Sequence, residues 1–83
     1  MMAITYRKHK LEMSEEQRLK IAAKITYYRK LRGMTQERLA KAVGITVSYL
    51  SRLERGKNSN GGNLYVMMRI ADVLDVKIQN IVY

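Results

Sequence analysis

Residues 44–57 read GITVSYLSRLERGK, and on a helical repeat Val47, Ser48, Ser51, Arg52 and Arg55 share one side while Leu50 and Leu53 face the other. Hydroxyls, forked guanidinium groups and a small branched apolar side chain can donate hydrogen bonds and pack against a flat edge. They form a binding face. Nothing around them completes a reaction centre: the single histidine, His9, sits in a basic run near the start of the chain, and no Ser, His and carboxylate set stands clear of capping positions. No glycine loop has phosphate-cradling spacing. The chain has no cysteine, which excludes disulfides and thiolate metal sites. A non-enzyme with no cofactor and no metal is expected.

A chain of 83 residues makes one small domain, with about 60% of the unfolded surface buried. Sixteen basic residues against seven acidic ones give +9. After residue 60 Arg69 and Lys77 are balanced by Asp72 and Asp75, so the whole excess lies in residues 1–60. Such charge calls for a polyanion, either nucleic acid or an anionic membrane surface. A membrane-lying helix needs large apolar residues turned to lipid, and here the apolar positions of each segment are required for a core. No run is long enough to cross a bilayer, and MMAITYRKHKLEM lacks the apolar stretch of a secretory signal. Nucleic acid is the better partner, and a cytoplasmic location is expected.

Four capping signals mark the elements that must hold the binding face. Ser14-Glu15-Glu16-Gln17 has the form of a capping box. The helix it opens carries Ile21, Ile25 and Tyr28, with Ala22 and Leu31, as an apolar stripe, leaves Lys20, Lys24, Lys30 and Arg32 mostly wet, and stops at Gly33. Thr35 caps a second helix with Leu39, Ala40 and Val43 on one side, ended by Gly44. Thr46 caps the third, Gly56 stops it, and a polar loop of residues 57–62 follows. Asn63 opens a fourth helix, with Leu64, Met67, Met68, Ala71 and Leu74 as its core stripe. Residues 78–83 are apolar enough for a last helical turn or a short strand, and a fifth helical turn is expected. Between the second and third helices, Gly44 supplies a residue tolerant of positive φ, and Ala40 a small side chain where two short helices cross steeply.

These residues resemble the Cro and phage-repressor-like helix-turn-helix proteins, often called the XRE family. The likeness covers roughly residues 21–76. It rests on Arg29-Lys30-Leu31-Arg32-Gly33-Met34-Thr35-Gln36 running into Leu39-Ala40, then Gly44, then Ser51-Arg52-Leu53-Glu54-Arg55-Gly56. The resemblance implies an all-α, lambda-repressor-like bundle of four to five short helices over residues 14–83, preceded by an extension of residues 1–13. It implies that the third helix lies in the major groove of double-stranded DNA, with Val47, Ser48, Ser51 and Arg52 at the base edges. Arg52 would donate to guanine O6 and N7, and Val47 would pack on a thymine methyl. Gln36, Thr46, Arg55, Lys57 and Asn58 would contact the DNA backbone, which sets register and affinity more than sequence. Arg29 and Glu54 match a family pair that forms an internal ion pair. Gly61-Gly62 stands where many members carry a proline.

The expected function is a sequence-specific transcriptional regulator, a repressor acting as a homodimer on a two-fold operator, because two half-sites raise affinity and specificity together. The outer side of the fourth helix with residues 78–83 is the expected dimer surface. Two other readings stay open: an antitoxin-like or adaptor module that captures a protein partner, with DNA secondary, and a non-specific nucleic-acid binder. Tyr27, Tyr49 and Tyr65 are open between stacking on a ligand and packing. Residues 1–13 are open between a disordered tail, a basic arm on DNA and a strand that pairs with another element.

Overall fold

In the computed structural model, residues 14–58 and 63–82 are described, and all regular structure among them is helical. Five helices follow one another: α1 (Glu15–Leu31), α2 (Gln36–Val43), α3 (Val47–Glu54), α4 (Leu64–Leu74) and α5 (Gln79–Val82). The three readings of residues 1–13, and the glycine pair at 61 and 62, lie outside the described residues.

Each of the first four helices starts where its capping residue requires. Ser14 Oγ accepts from Gln17 N at 3.1 Å while Gln17 Oε1 accepts from Ser14 N at 3.0 Å, closing the capping box. Thr35, Thr46 and Asn63 accept from the amides of Arg38, Tyr49 and Val66 at 3.1, 3.0 and 2.8 Å. The other ends are closed partly by distant arginines. Arg69 Nε and Nη2 donate to Val43 O (3.3 Å) and Ala42 O (3.0 Å), capping α2 from α4. Arg32 Nε and Nη2 donate to Leu74 O (2.7 Å) and Asp75 O (3.2 Å), capping α4 from the end of α1. Carbonyls that a helix leaves orphaned thus become ties between elements.

The core gathers Ile21, Ile25, Leu39, Ala40, Val43, Leu50, Leu53, Val66, Met67, Ile70, Ala71, Leu74 and Ile81. α1 lies against α3, α4 and α5, and α2 against α3 and α4. Three expectations change. Leu31 is 57% exposed, because the inner side of the last turns of α1 is taken by Arg29 and the half-buried Tyr28. On α4, Leu64 and Met68 are exposed, and Val66 and Ile70 hold the core positions instead. The polar pair Arg69 and Asp72 lies on the outer side of α4 and turns the helix this way. Ile81, expected on an association surface, is fully buried against the bundle, and Ile78 and Val82 are half-buried.

Candidate nucleic-acid interface

The turn between α2 and α3 sets the pose of the candidate face. Gly44 closes α2 at φ 92°, and both Gly44 N and Ile45 N donate to Ala40 O, at 2.8 and 3.0 Å. Ala40 itself is buried, and α2 packs against α3. Leu50 and Leu53 then anchor α3 to the core, which leaves Val47, Ser48 and Arg52 exposed and Ser51 half-buried on the opposite side. With Gln36 and Arg55 these four line one open groove. The residues expected at base edges are therefore together, joined by one expected at the backbone from each of α2 and the end of α3.

The chemistry of this face is one-sided. Arg52 and Arg55 project from it, and Lys57 just beyond α3 is also exposed. The one acid of α3, Glu54, points inward. Its Oε2 accepts from Arg29 Nε at 2.8 Å, and its Oε1 accepts from Arg29 Nη2 (3.0 Å), Gln36 Nε2 (3.0 Å) and Thr26 Oγ1 (3.1 Å). The side chains of Arg29 and Glu54 are only 11% and 4% exposed. Burial pushes the Glu54 carboxyl up, but the bonds from Arg29, Gln36 and Thr26 and the charge of Arg29 together outweigh it and hold it below its ordinary value. A carboxylate that would repel an anion is thus neutralised inside, and the outer face keeps only its positive charges.

The same bonds hold particular side chains in place. Gln36, at the first turn of α2, gives one N–H to Glu54 and keeps its second N–H and its carbonyl oxygen. Thr46 accepts at its hydroxyl from Tyr49 N, which leaves its own O–H proton to donate outward. The Arg52 guanidinium lies over the Tyr49 ring, 5.9 Å from its centre, and Tyr49 is half-buried against the core, so this tyrosine packs and supports. Tyr27 and Tyr65 are exposed. Asn58 is half-buried and its Nδ2 is buried with no partner among the described residues, so its donor faces inward.

Sequence reasoning missed Thr26, the fourth donor to Glu54. Its place on the buried side of α1 near Arg29 was the available signal. Among the described residues no cluster of His, Cys, Asp and Glu could hold a metal ion, and no helix is long and apolar enough to cross a membrane.

Two short helices joined at a left-handed glycine, with the second turning a polar, basic face outward, match a family model described as helix-turn-helix over residues 25–81. The chain belongs to the XRE helix-turn-helix family. A relative from Bacillus subtilis (strain 168), the uncharacterized HTH-type transcriptional regulator YazB, is 43% identical over 53 residues, which cover 64% of this chain and 74% of that protein. Among solved structures, the restriction-modification controller protein C.AhdI from Aeromonas hydrophila aligns with a TM-score of 0.72 at 26% identity, over 77% of this chain and 94% of that one. SinR, a master regulator for biofilm formation solved in complex with DNA, aligns with a TM-score of 0.71 at 32% identity, over 76% and 98%. This XRE protein is a DNA-binding transcriptional regulator of helix-turn-helix type.

Proposed function

We propose that this protein reads a specific duplex sequence with α3 in the major groove and acts as a repressor, bound as a homodimer to a two-fold symmetric operator. The observation that carries the reading is the outer side of α3, where Val47, Ser48 and Arg52 stand exposed in one groove while the acid of the same helix is locked inward on Arg29. Arg52 reads guanine through O6 and N7, Val47 meets a thymine methyl, and Ser48 and Ser51 donate or accept at neighbouring base edges. Arg55 and Lys57 bind phosphate by charge. Thr46 donates its hydroxyl proton, and Gln36 its free N–H, near the first turn of α2, where the helix dipole favours an anion. Asn58 joins the phosphate contacts when its amide turns outward.

The homodimer reading is supported by α4, where Leu64 (66%), Tyr65 (70%) and Met68 (52%) are exposed beside Arg69 and Asp72. An apolar patch with a polar rim is what a self-complementary interface needs. Repression requires only occupancy of the operator in the cytoplasm.

Selection of bound fragments from a random duplex pool at physiological salt tests the proposal. Enrichment of a two-fold symmetric site, with half-sites one helical turn apart, supports it. Recovery of no preferred sequence, with binding that fades as salt rises, sinks the sequence-reading claim.

A further inference from the structure

Helix α1 is apolar on two opposite sides. The inner side, with Ile21, Ala22 and Ile25, is buried. On the outer side Leu19, Ala23, Tyr27 and Leu31 recur every four residues, roughly 180° around the helix from the buried stripe. All four are exposed, Leu19 at 48%, Tyr27 at 60% and Leu31 at 57%. A lone exposed leucine is ordinary, but four apolar side chains in register form a ridge about 18 Å long. Neither the core nor the groove on α3 uses it.

The charges along the ridge select what can cover it. Glu15 and Glu16 stand exposed at its N-terminal end, with Glu16 3.4 Å from Lys20, while Lys24 and Lys30 run beside its remaining length with no acidic partner among the described residues. A second copy laid antiparallel on the ridge would bring Lys24 near its own symmetry mate, between chains of +9 each. An acidic helix meets the same lysines with opposite charge while its own apolar stripe packs on the ridge.

We propose that the outer ridge of α1 is a docking surface for an acidic amphipathic helix of another protein. The anchors are Ala23, Tyr27 and Leu31, and Lys24 and Lys30 select the acidic partner. One helix laid on one helix buries less than the roughly 1,200 Å² of a standard stable interface, so the contact is transient. The docking does not depend on how α3 reads DNA.

The test is an amide-shift NMR titration of the full-length protein with a synthetic helical peptide carrying leucines at four-residue spacing, flanked by glutamates. Shifts concentrated on residues 19–31, with serine-for-leucine and lysine-for-glutamate peptides each weaker by about tenfold or more, support the proposal. Tyr27→Glu/Leu31→Glu should abolish binding with only a small drop in thermal midpoint, since both side chains are exposed, the edge contact of Tyr27 with the Tyr28 ring is what is lost, and Leu19, which touches Gly56, is left alone. Lys24→Glu/Lys30→Glu should reverse the preference toward the lysine peptide. Shifts centred on Arg52 and Arg55 would show the peptide imitating a phosphate backbone, and equal binding by the serine peptide would reduce the effect to charge. A sedimenting mass that drops in Tyr27→Glu/Leu31→Glu would make the occupant a second copy. Each of these three results overturns the proposal.

Discussion

Removing the Glu54 carboxylate should cost this protein a large share of its stability. Glu54→Ala strips Arg29 of its bonds from Nε and Nη2, leaving only the one from Nη1 to Met34 O at 2.9 Å, and frees the donors of Gln36 and Thr26. Because the Arg29 side chain is 11% exposed, its charge is left uncompensated in a poorly solvated place. Breaking one side of a buried pair costs about 3 to 5 kcal/mol, against a total of roughly 4 to 12 kcal/mol for a domain of this size. Thermal unfolding followed by circular dichroism should show a midpoint at least ~12 °C lower. Arg29→Leu/Glu54→Leu should recover much of the loss, since apolar side chains replace both charges. The folded carboxyl titrates below its ordinary value, so its stabilisation is full above about pH 4.3 and fades as pH falls through the folded value. Wild type and Glu54→Gln should therefore converge in acid. A loss below about 1 kcal/mol in Glu54→Ala, with additive effects in the double variant, would show the pair to be no stronger than an exposed one and refute the reasoning.

Three further outcomes follow from particular contacts. Gly44→Ala should destabilise by about 1 to 2 kcal/mol through backbone strain, because φ is 92° and no atom of the described residues lies within 4 Å of the new Cβ; urea unfolding checks it, and Gly44→Asn should cost less. Lys57→Ala should weaken binding about equally on all duplexes and lower the salt slope by roughly one, measured by titration across salt concentrations. Leu64→Ser/Met68→Ser should shift the protein toward monomer in sedimentation equilibrium with its thermal midpoint little changed, because both side chains are already exposed.

The chain states its helix starts openly. Ser14, Thr35, Thr46 and Asn63 are capping residues with short oxygen-bearing side chains, and each accepts the amide three residues on. The inner side of α3 was equally legible, since Leu50 and Leu53, three residues apart, are the large aliphatic residues after Val47 and share one side. The inner side of α4 was not, because between Leu64 and Leu74 only Arg69 and Asp72 are polar, and several apolar stripes fit the helical period. Those two residues, read as the outer side, would have found Val66 and Ile70. Leu31 misled because the buried position near it belongs to a charged residue, Arg29, and periodicity of apolar residues cannot see a paired arginine. The C-terminal caps made by Arg32 and Arg69 join residues 42 and 26 positions apart, and no local pattern carries such a pairing. Within the candidate site, spacing alone put Val47, Ser48, Ser51, Arg52 and Arg55 on one side, and the inward turn of Glu54 needed the family resemblance to foresee.

The most direct test of sequence reading by α3 is a titration of wild type and Arg52→Ala against the selected operator and a set of its single base-pair variants at fixed salt. If α3 reads sequence, Arg52→Ala loses about 1 to 3 kcal/mol on the operator and becomes indifferent to one guanine per half-site, with discrimination elsewhere retained. A uniform loss across every duplex, with each base preference intact, would place Arg52 on the phosphate backbone and contradict it.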